Sequence, residues 1–234
     1  MSNNEKLGTK HESQHNTKES SLSKVIRFFN KNQNTVYGVV IAILVVICGI
    51  FAFNKFYLTP KTEKAEAAIM HPISLYLSTD TVAWQVALDG DDENDGFLTI
   101  ADDYKLTNTA NTANYYAGLT YLKMGQKEEA LEYLKKFKQK ENVLYYACQA
   151  LIGDLYDEQG ATKEAIAYYQ KAIKSNDIYF TPITLFKLAQ IAEREENWSE
   201  ALKYYQQIEK NFEVEYNKMS IDRYVTRAQT KAGK

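Results

Sequence analysis

The chain has 234 residues and a formal net charge of −2, from 28 Lys and Arg against 30 Asp and Glu. This near-neutral balance argues against a nucleic-acid-binding protein, because such proteins carry a strong basic excess. Only 3 Pro and 10 Gly interrupt the chain, which favours long helices over a β-sandwich. With 2 Cys and 3 His, neither a disulfide scaffold nor a zinc site is expected.

Residues 1–34 are polar and basic, and we expect them to form a disordered cytoplasmic tail because they have too few apolar residues for a core. Residues 22–31 alternate apolar and basic side chains. This pattern is typical of a short amphipathic helix on a membrane surface, although a basic flank that only fixes topology explains it equally well.

Residues 35–58 are predicted to form one transmembrane helix. The run from Val36 to Phe53 contains no charged residue. Its 18 residues span about 27 Å as a helix, close to the roughly 30 Å hydrocarbon core of a bilayer. The polar segment before it is longer than a signal peptide allows, and no small-residue cleavage site follows, so an uncleaved signal anchor is expected. A buried core helix is the alternative.

The charges before this segment predict its orientation. Residues 1–34 contain six Lys and Arg against three Glu. Because basic flanks stay in the cytoplasm, we expect a cytoplasmic N-terminus and a C-terminal domain on the other side of the membrane.

Three segments of the C-terminal part repeat one another: residues 115–137, 150–173 and 185–208. Small residues and bulky residues recur in the same order after 35 and 36 residues. The matched positions are Gly118, Gly153 and Ala189; Ala130, Ala165 and Ala201; and Leu134, Tyr169 and Tyr205. Gly125 and Gly160 separate two apolar halves in the first two copies, and Glu196 takes that place in the third. This pattern predicts helical hairpins that pack through their small residues and are stable only when stacked.

The period, with its small and aromatic positions, resembles the tetratricopeptide repeat, which implies three repeats over residues 110–213. The resemblance places the first helices near Thr112, Val143 and Thr181, and the second helices near Lys127, Thr162 and Ser199. The Trp usual in the first helix and the Pro that closes each unit are missing. The anchor and the run VALDGDDENDGFLTIADDY before NYYAGLTYLKMG are similar to the YfgM-like ancillary translocon subunits of Bacteroidota. The predicted fold class is all-α: a transmembrane helix followed by an α-solenoid of helical hairpins.

The flanking segments are predicted to close the two ends of the solenoid. Residues 59–109 are expected to form a degenerate leading repeat, in which Pro72 interrupts a helix and Asp80 caps a helix ending near Leu88. Residues 214–234 are expected to form a capping helix and a C-terminal tail.

No sequence motif predicts catalysis, a cofactor or a metal site. The acidic loop 89–96 fits a calcium loop poorly, since Glu93 and Asp102 occupy positions that call for other ligands, so a solvated turn is favoured. Cys148 lies on an apolar helix face, where a buried thiol is ordinary packing. We therefore expect a non-enzymatic protein.

The resemblance places the first helix of each repeat along a concave groove that binds proteins. It assigns to this groove Tyr115, Leu119, Lys123, Asp154, Asp157, Glu158, Phe186, Gln190 and Arg194. Acidic residues in the second copy favour a basic or partly exposed polypeptide over the acidic tails that other such repeats bind. Alternatively, these residues only face solvent and the convex side binds the partner.

The resemblance implies a scaffold in the bacterial inner membrane, with its repeat domain in the periplasm. The expected partners are proteins: the Sec translocon, periplasmic chaperones or exported chains. Contact with lipid is expected through the single span, and neither nucleic acid nor a small-molecule substrate is expected. The alternative hypothesis is an assembly factor for cell-envelope or cell-division complexes.

Overall fold

The structure is a computed structural model that describes residues 30–140, 143–213 and 220–233. The chain divides into two compact units, Met1–Phe56 and Tyr57–Lys234. Residues 1–29 lie outside the described residues, and with them most of the predicted tail and of its amphipathic helix.

In the first unit, α1 spans Gln33–Ala52, and a π-helical turn, Phe53–Leu58, follows it. Among the described residues, one helical stretch, Gln33–Tyr76, is long and apolar enough to cross a membrane. Its most apolar window is 0% buried, whereas a core helix would be mostly covered by protein. The exposure of these apolar residues argues against the core-helix alternative.

The second unit begins with helices that lead into the repeats. These are α2 (Thr59–Ala68), α3 (Met70–Tyr76), α4 (Thr81–Asp89) and α5 (Phe97–Asp103). The break between α2 and α3 falls at Ile69, since Pro72 has no N–H to donate to the carbonyl of Ala68. The Asp80 carboxylate accepts a hydrogen bond from the Val82 N–H at 2.9 Å and caps α4.

Three helical hairpins and a final helix follow. They are α6 (Asn108–Lys123) with α7 (Lys127–Lys136), α8 (Val143–Glu158) with α9 (Thr162–Ala172), α10 (Phe180–Arg194) with α11 (Trp198–Asn211), and α12 (Ile221–Lys231). α6 begins four residues before Thr112, because the Thr107 hydroxyl accepts a hydrogen bond from the Ala110 N–H at 3.1 Å and caps the helix there. The all-α prediction with repeated hairpins is confirmed.

The turn within each hairpin uses a residue in the left-handed conformation. Gly125 has φ 76° and Gly160 has φ 74°, values that glycine adopts without strain. Glu196 takes the same conformation in the third hairpin, with φ 57°. All three hairpins therefore close with the same backbone geometry although the third lacks the glycine.

The small residues of the repeat lie where the two helices of a hairpin touch. A Cβ atom placed on Gly118 would lie 2.6 Å from Leu134 Cγ, and one on Gly153 would lie 2.6 Å from Tyr169 Cδ1. Both distances are too short for a side chain, so each glycine lets a bulky residue of the second helix pack directly on the backbone of the first.

The core of the second unit forms three buried clusters along the chain. One joins the leading helices to α6, the next joins the first hairpin to the second, and the third joins the last two hairpins to α12. Each hairpin thus buries apolar side chains against its neighbours, as stacked repeats require.

We predict that Cys148 does not react with thiol reagents in the folded protein. Its side chain is buried, and its thiol donates a hydrogen bond to the Leu134 carbonyl at 3.3 Å. Burial raises the pKa of the thiol to about 12, so at pH 8 only roughly one molecule in ten thousand carries the reactive thiolate. In a Cys48→Ser background, thiol titration should detect Cys148 only after denaturation. Rapid labelling of the native protein would contradict its burial.

Candidate functional site

The predicted groove residues of the second and third repeats meet in one cavity of about 320 Å³. Five of them line it: Asp154, Asp157, Glu158, Gln190 and Arg194. The cavity lies between α8 and α10, the first helices of two adjacent hairpins, and Tyr169 and Lys187 complete its lining. We call it the α8–α10 cavity.

Asp154 is the most connected of these residues. Its Oδ1 accepts hydrogen bonds from the Tyr169 hydroxyl at 2.7 Å and from Lys187 Nζ at 2.5 Å. Burial raises the pKa of Tyr169, and the hydrogen bond to Asp154 raises it further, so this hydroxyl remains a donor. These two hydrogen bonds join Asp154, on α8, to α9 of its own hairpin and to α10 of the next hairpin.

The other two acidic residues of α8 also pair with basic residues. Arg194 donates hydrogen bonds to both carboxylate oxygens of Asp157, which raises the pKa of the guanidinium. Glu158 pairs with Lys127 of the preceding hairpin at 2.8 Å. The acidic second repeat predicted from the sequence is therefore largely neutralised by its neighbours.

A second, more open cavity of about 470 Å³ continues toward the C-terminal helix. It shares Gln190 and Arg194 with the α8–α10 cavity, and Trp198 also lines it. At its far side Arg227 of α12 pairs with Glu193 at 2.6 Å. A row of ion pairs thus extends from the second hairpin to the capping helix.

Tyr115 and Phe186, the aromatic residues assigned to the groove, lie in the hydrophobic core. Tyr115 is 8% exposed and packs against Phe137, with ring centroids 5.2 Å apart, and burial raises its pKa to about 12. Phe186 is half-buried and meets the ring of Tyr224 edge-on at 4.9 Å. Replacing these two residues would therefore disturb packing as well as any bound partner.

The remaining predicted residues of the first repeat contact the leading segment. Leu119 is half-buried against the cluster between the first two hairpins. Lys123 donates a hydrogen bond to the Tyr76 carbonyl at 2.6 Å, and its Nζ lies 4.0 Å from the centre of the Tyr76 ring and 5.1 Å from that of Trp84. Lys123 therefore holds α3 and α4 against the first repeat.

The acidic loop is organised by its own backbone. Asp91 Oδ1 accepts hydrogen bonds from the N–H groups of Glu93 and Asn94 and from the Asn94 side chain, which lowers the pKa of the Asp91 carboxyl. His71 lies 3.4 Å from the other Asp91 oxygen. In the part of the chain that the structure describes, no group of three His, Cys, Asp or Glu is arranged to hold a metal ion.

Lys187, Lys127 and Arg227 belong to this site but were not among the predicted residues. Lys187 could have been found from helical periodicity, because Lys187, Gln190 and Arg194 are three and four residues apart and share a helix face. The sequence gives no comparable signal for Lys127, which pairs with Glu158 from the preceding hairpin, or for Arg227, which pairs with Glu193 from the final helix α12.

Comparison with known families agrees with this geometry. Two family models, both described as tetratricopeptide repeat, match residues 112–141 and residues 149–214. No curated protein matches the chain. The matched residues cover most of the three hairpins and all the residues that line the α8–α10 cavity, and such repeats act as scaffolds for protein–protein interaction. Residues 112–141 and 149–214 therefore match tetratricopeptide repeats, and they follow an N-terminal helix long and apolar enough to span a membrane.

Proposed function

We propose that the protein is a non-enzymatic, single-pass membrane scaffold that binds a polypeptide segment in the α8–α10 cavity. We place it in the bacterial inner membrane, with the N-terminus in the cytoplasm and the repeat unit in the periplasm. There it assists exported proteins near the Sec translocon. The observation that carries the binding proposal is the convergence of Asp154, Asp157, Glu158, Gln190 and Arg194 in one cavity.

The ion pairs of the cavity suit exchange with a partner. The side chains of Lys187 and Asp154 are 34% and 31% exposed. Pairs this accessible to water contribute only about 0–1 kcal/mol each, so a polypeptide that offers replacement charges can displace them at little cost. Each of the three acidic residues of the lining is paired, two with Lys187 and Arg194 of the lining and Glu158 with Lys127 outside it. A segment with basic or polar groups can take the places of these cations beside the carboxylates, whereas an acidic tail cannot.

The membrane placement rests on the N-terminal segment. The apolar window of the Gln33–Tyr76 stretch has the length and composition of a span, and basic residues precede it. A groove for polypeptides on the periplasmic side, held beside the membrane, would meet exported chains, the translocon and periplasmic chaperones as they emerge.

Site-specific photo-crosslinking in cells tests this function. A photoreactive residue at the exposed Gln190 should form adducts with translocon subunits, chaperones or exported chains. The same photoreactive residue at the exposed Lys163 of α9, outside the cavity, should form no such adducts.

Adducts at Lys163 alone would overturn the cavity as the binding site. If the photoreactive residue at Gln190 reproducibly forms no adducts with translocon subunits, chaperones or exported chains, the export role is overturned. Adducts there with cell-division or envelope-assembly proteins would favour the alternative scaffold role.

Removing negative charge from the cavity should weaken capture. We expect Asp154→Asn together with Asp157→Asn to lower the recovery of crosslinked partners about five- to tenfold, because a basic segment loses two attractive charges. Asparagine keeps an oxygen that can accept from Tyr169, so helicity by circular dichroism should not change. The matched control is Glu164→Gln on α9, which should leave capture as it is. Unchanged capture by the double variant would show that charge in the cavity does not select the partner.

A further inference from the structure

We propose that one edge of the repeat unit rests on the lipid surface of the membrane that holds α1. This edge comprises residues 104–107, 137–140 and 173–183, where the second helix of one pair ends and the first helix of the next begins; we call it the inter-hairpin edge. The inference rests on the membrane anchoring in the proposed function and is independent of the partner in the α8–α10 cavity.

The edge exposes apolar side chains that no element of the unit covers among the described residues. Within residues 173–183, Ile178 is 61% exposed, Tyr179 62%, Phe180 44% and Ile183 46%. Leu106, in the first segment of the edge, is 65% exposed. Clusters of large apolar side chains this exposed are uncommon on soluble proteins and mark contact surfaces.

The backbone holds the apolar tip in a fixed conformation. Asn176 adopts the left-handed conformation, with φ 50°, and turns the chain after α9. The Asp177 carboxylate accepts hydrogen bonds from the N–H groups of Tyr179 and Phe180 at 2.8 and 3.0 Å. The Asp177 carboxylate thus binds the N–H groups at the start of α10, and these hydrogen bonds fix the backbone of the exposed apolar tip.

The charge of the edge fits anionic lipid headgroups. Its segments contain four lysines, Lys105, Lys138, Lys140 and Lys174, and one acidic residue, Asp177. Lys105 pairs with Asp102, just before the first segment, at 2.5 Å, so the positive charge proposed to meet the headgroups is that of Lys138, Lys140 and Lys174. A surface that combines lysines with Ile, Phe and Tyr matches an anionic bilayer, where aromatic and aliphatic groups enter the headgroup region and lysines contact the phosphates. A protein partner selected by charge would instead have to be acidic.

Contacts inside the second unit connect this edge to the residues that follow the apolar stretch. Lys61 Nζ donates a hydrogen bond to the Asp103 carbonyl at 3.0 Å and lies 5.3 Å from the ring centre of Tyr57 and 6.0 Å from that of Tyr104. The first segment of the edge is therefore held beside Lys61, near the start of the second unit.

The other two segments are linked to the first through the helices between them. The Gln139 side chain donates to the Asn108 carbonyl at 3.1 Å, which joins the second segment to the start of α6. The turn Ile173–Ser175 packs against α8. The three segments are therefore held within the second unit by contacts with the helices between them.

Fluorescence quenching by brominated lipids tests the contact. The full chain is reconstituted in neutral vesicles and in vesicles with anionic lipid, with a polarity-sensitive dye on Tyr179→Cys or, as a second reporter, Leu106→Cys. The matched control is Gln159→Cys, an exposed residue in the turn within the second hairpin. Labelling of the unsubstituted chain measures the background from Cys48 and the buried Cys148.

We expect brominated lipid to reduce emission at positions 179 and 106 by roughly twofold, more strongly with anionic lipid, and to leave position 159 unchanged. A chain that floats with the vesicles while both edge positions remain unquenched overturns the inference and leaves the anchoring intact. A chain that fails to float overturns the anchoring and the inference together. If dye emission at the edge positions changes with protein density but not with brominated lipid, the edge contacts a second copy of the chain. If the edge positions are shielded from the dye only in native membranes, the edge contacts another protein. Either result overturns the lipid contact.

Discussion

Replacing Leu88 with alanine is expected to lower the free energy of unfolding of the second unit by about 2–5 kcal/mol. Leu88 is fully buried in the cluster that joins the leading helices to α6, together with Phe97 and Ile100. Truncation leaves a cavity at this junction, and the surrounding helices can close it only in part. Denaturant unfolding of the detergent-solubilised chain, followed by circular dichroism, measures the change.

Leu77→Ala is the matched control for this variant. Leu77 lies in the same leading segment but is 71% exposed, so the same substitution should change the free energy of unfolding by less than about 0.5 kcal/mol. Equal effects of the two substitutions would show that the leading helices do not share a core with the first repeat.

Ala165→Leu is expected to destabilise the second unit by about 1–3 kcal/mol through overpacking. Ala165 is fully buried in the cluster that includes Leu188 and Ala189 of the next hairpin. Three added carbon atoms have no space there, so neighbouring side chains must leave their preferred rotamers or the helices must separate. The thermal midpoint of the helical signal should fall accordingly.

Ala167→Leu isolates the effect of packing from that of helix propensity. Ala167 lies on the same helix, two residues further on, but is exposed. Leucine and alanine both favour helices, so this variant should unfold within about 0.5 kcal/mol of the parent. An unchanged melting curve for Ala165→Leu would contradict the observed contact between hairpins.

Much of the fold follows from local sequence signals. α7 and α9 begin at Lys127 and Thr162, the residues predicted, because each follows a glycine turn and starts a clear apolar period. The first hairpin was placed less accurately: its helix begins earlier, at the capping Thr107, whose role depends on the turn before it. Periodicity locates a helix well but defines its ends less closely.

The candidate site was only partly predictable. Asp154, Asp157 and Arg194 were assigned to the concave surface from the repeat pattern, and the structure places them in one cavity. Their pairing was not predicted, since Lys187 and Arg194 reach α8 from a helix more than thirty residues away. The repeat pattern assigned Phe186 to the groove, but the adjacent Lys187 lines the cavity, because one residue rotates a helical side chain by about 100°.

The sequence by itself determined the repeating hairpins and the apolar N-terminal helix, because both depend on local signals. The hairpins follow from small and bulky residues at fixed spacing, and the N-terminal helix follows from a long run without charge. Only the tertiary structure decided which predicted groove residues are buried in the core and which are exposed to a partner. Tyr115 is covered by Phe137, whereas Gln190 is exposed. The ion pairs of the α8–α10 cavity likewise depend on how adjacent hairpins stack, and that geometry arises from contacts between residues distant in the chain.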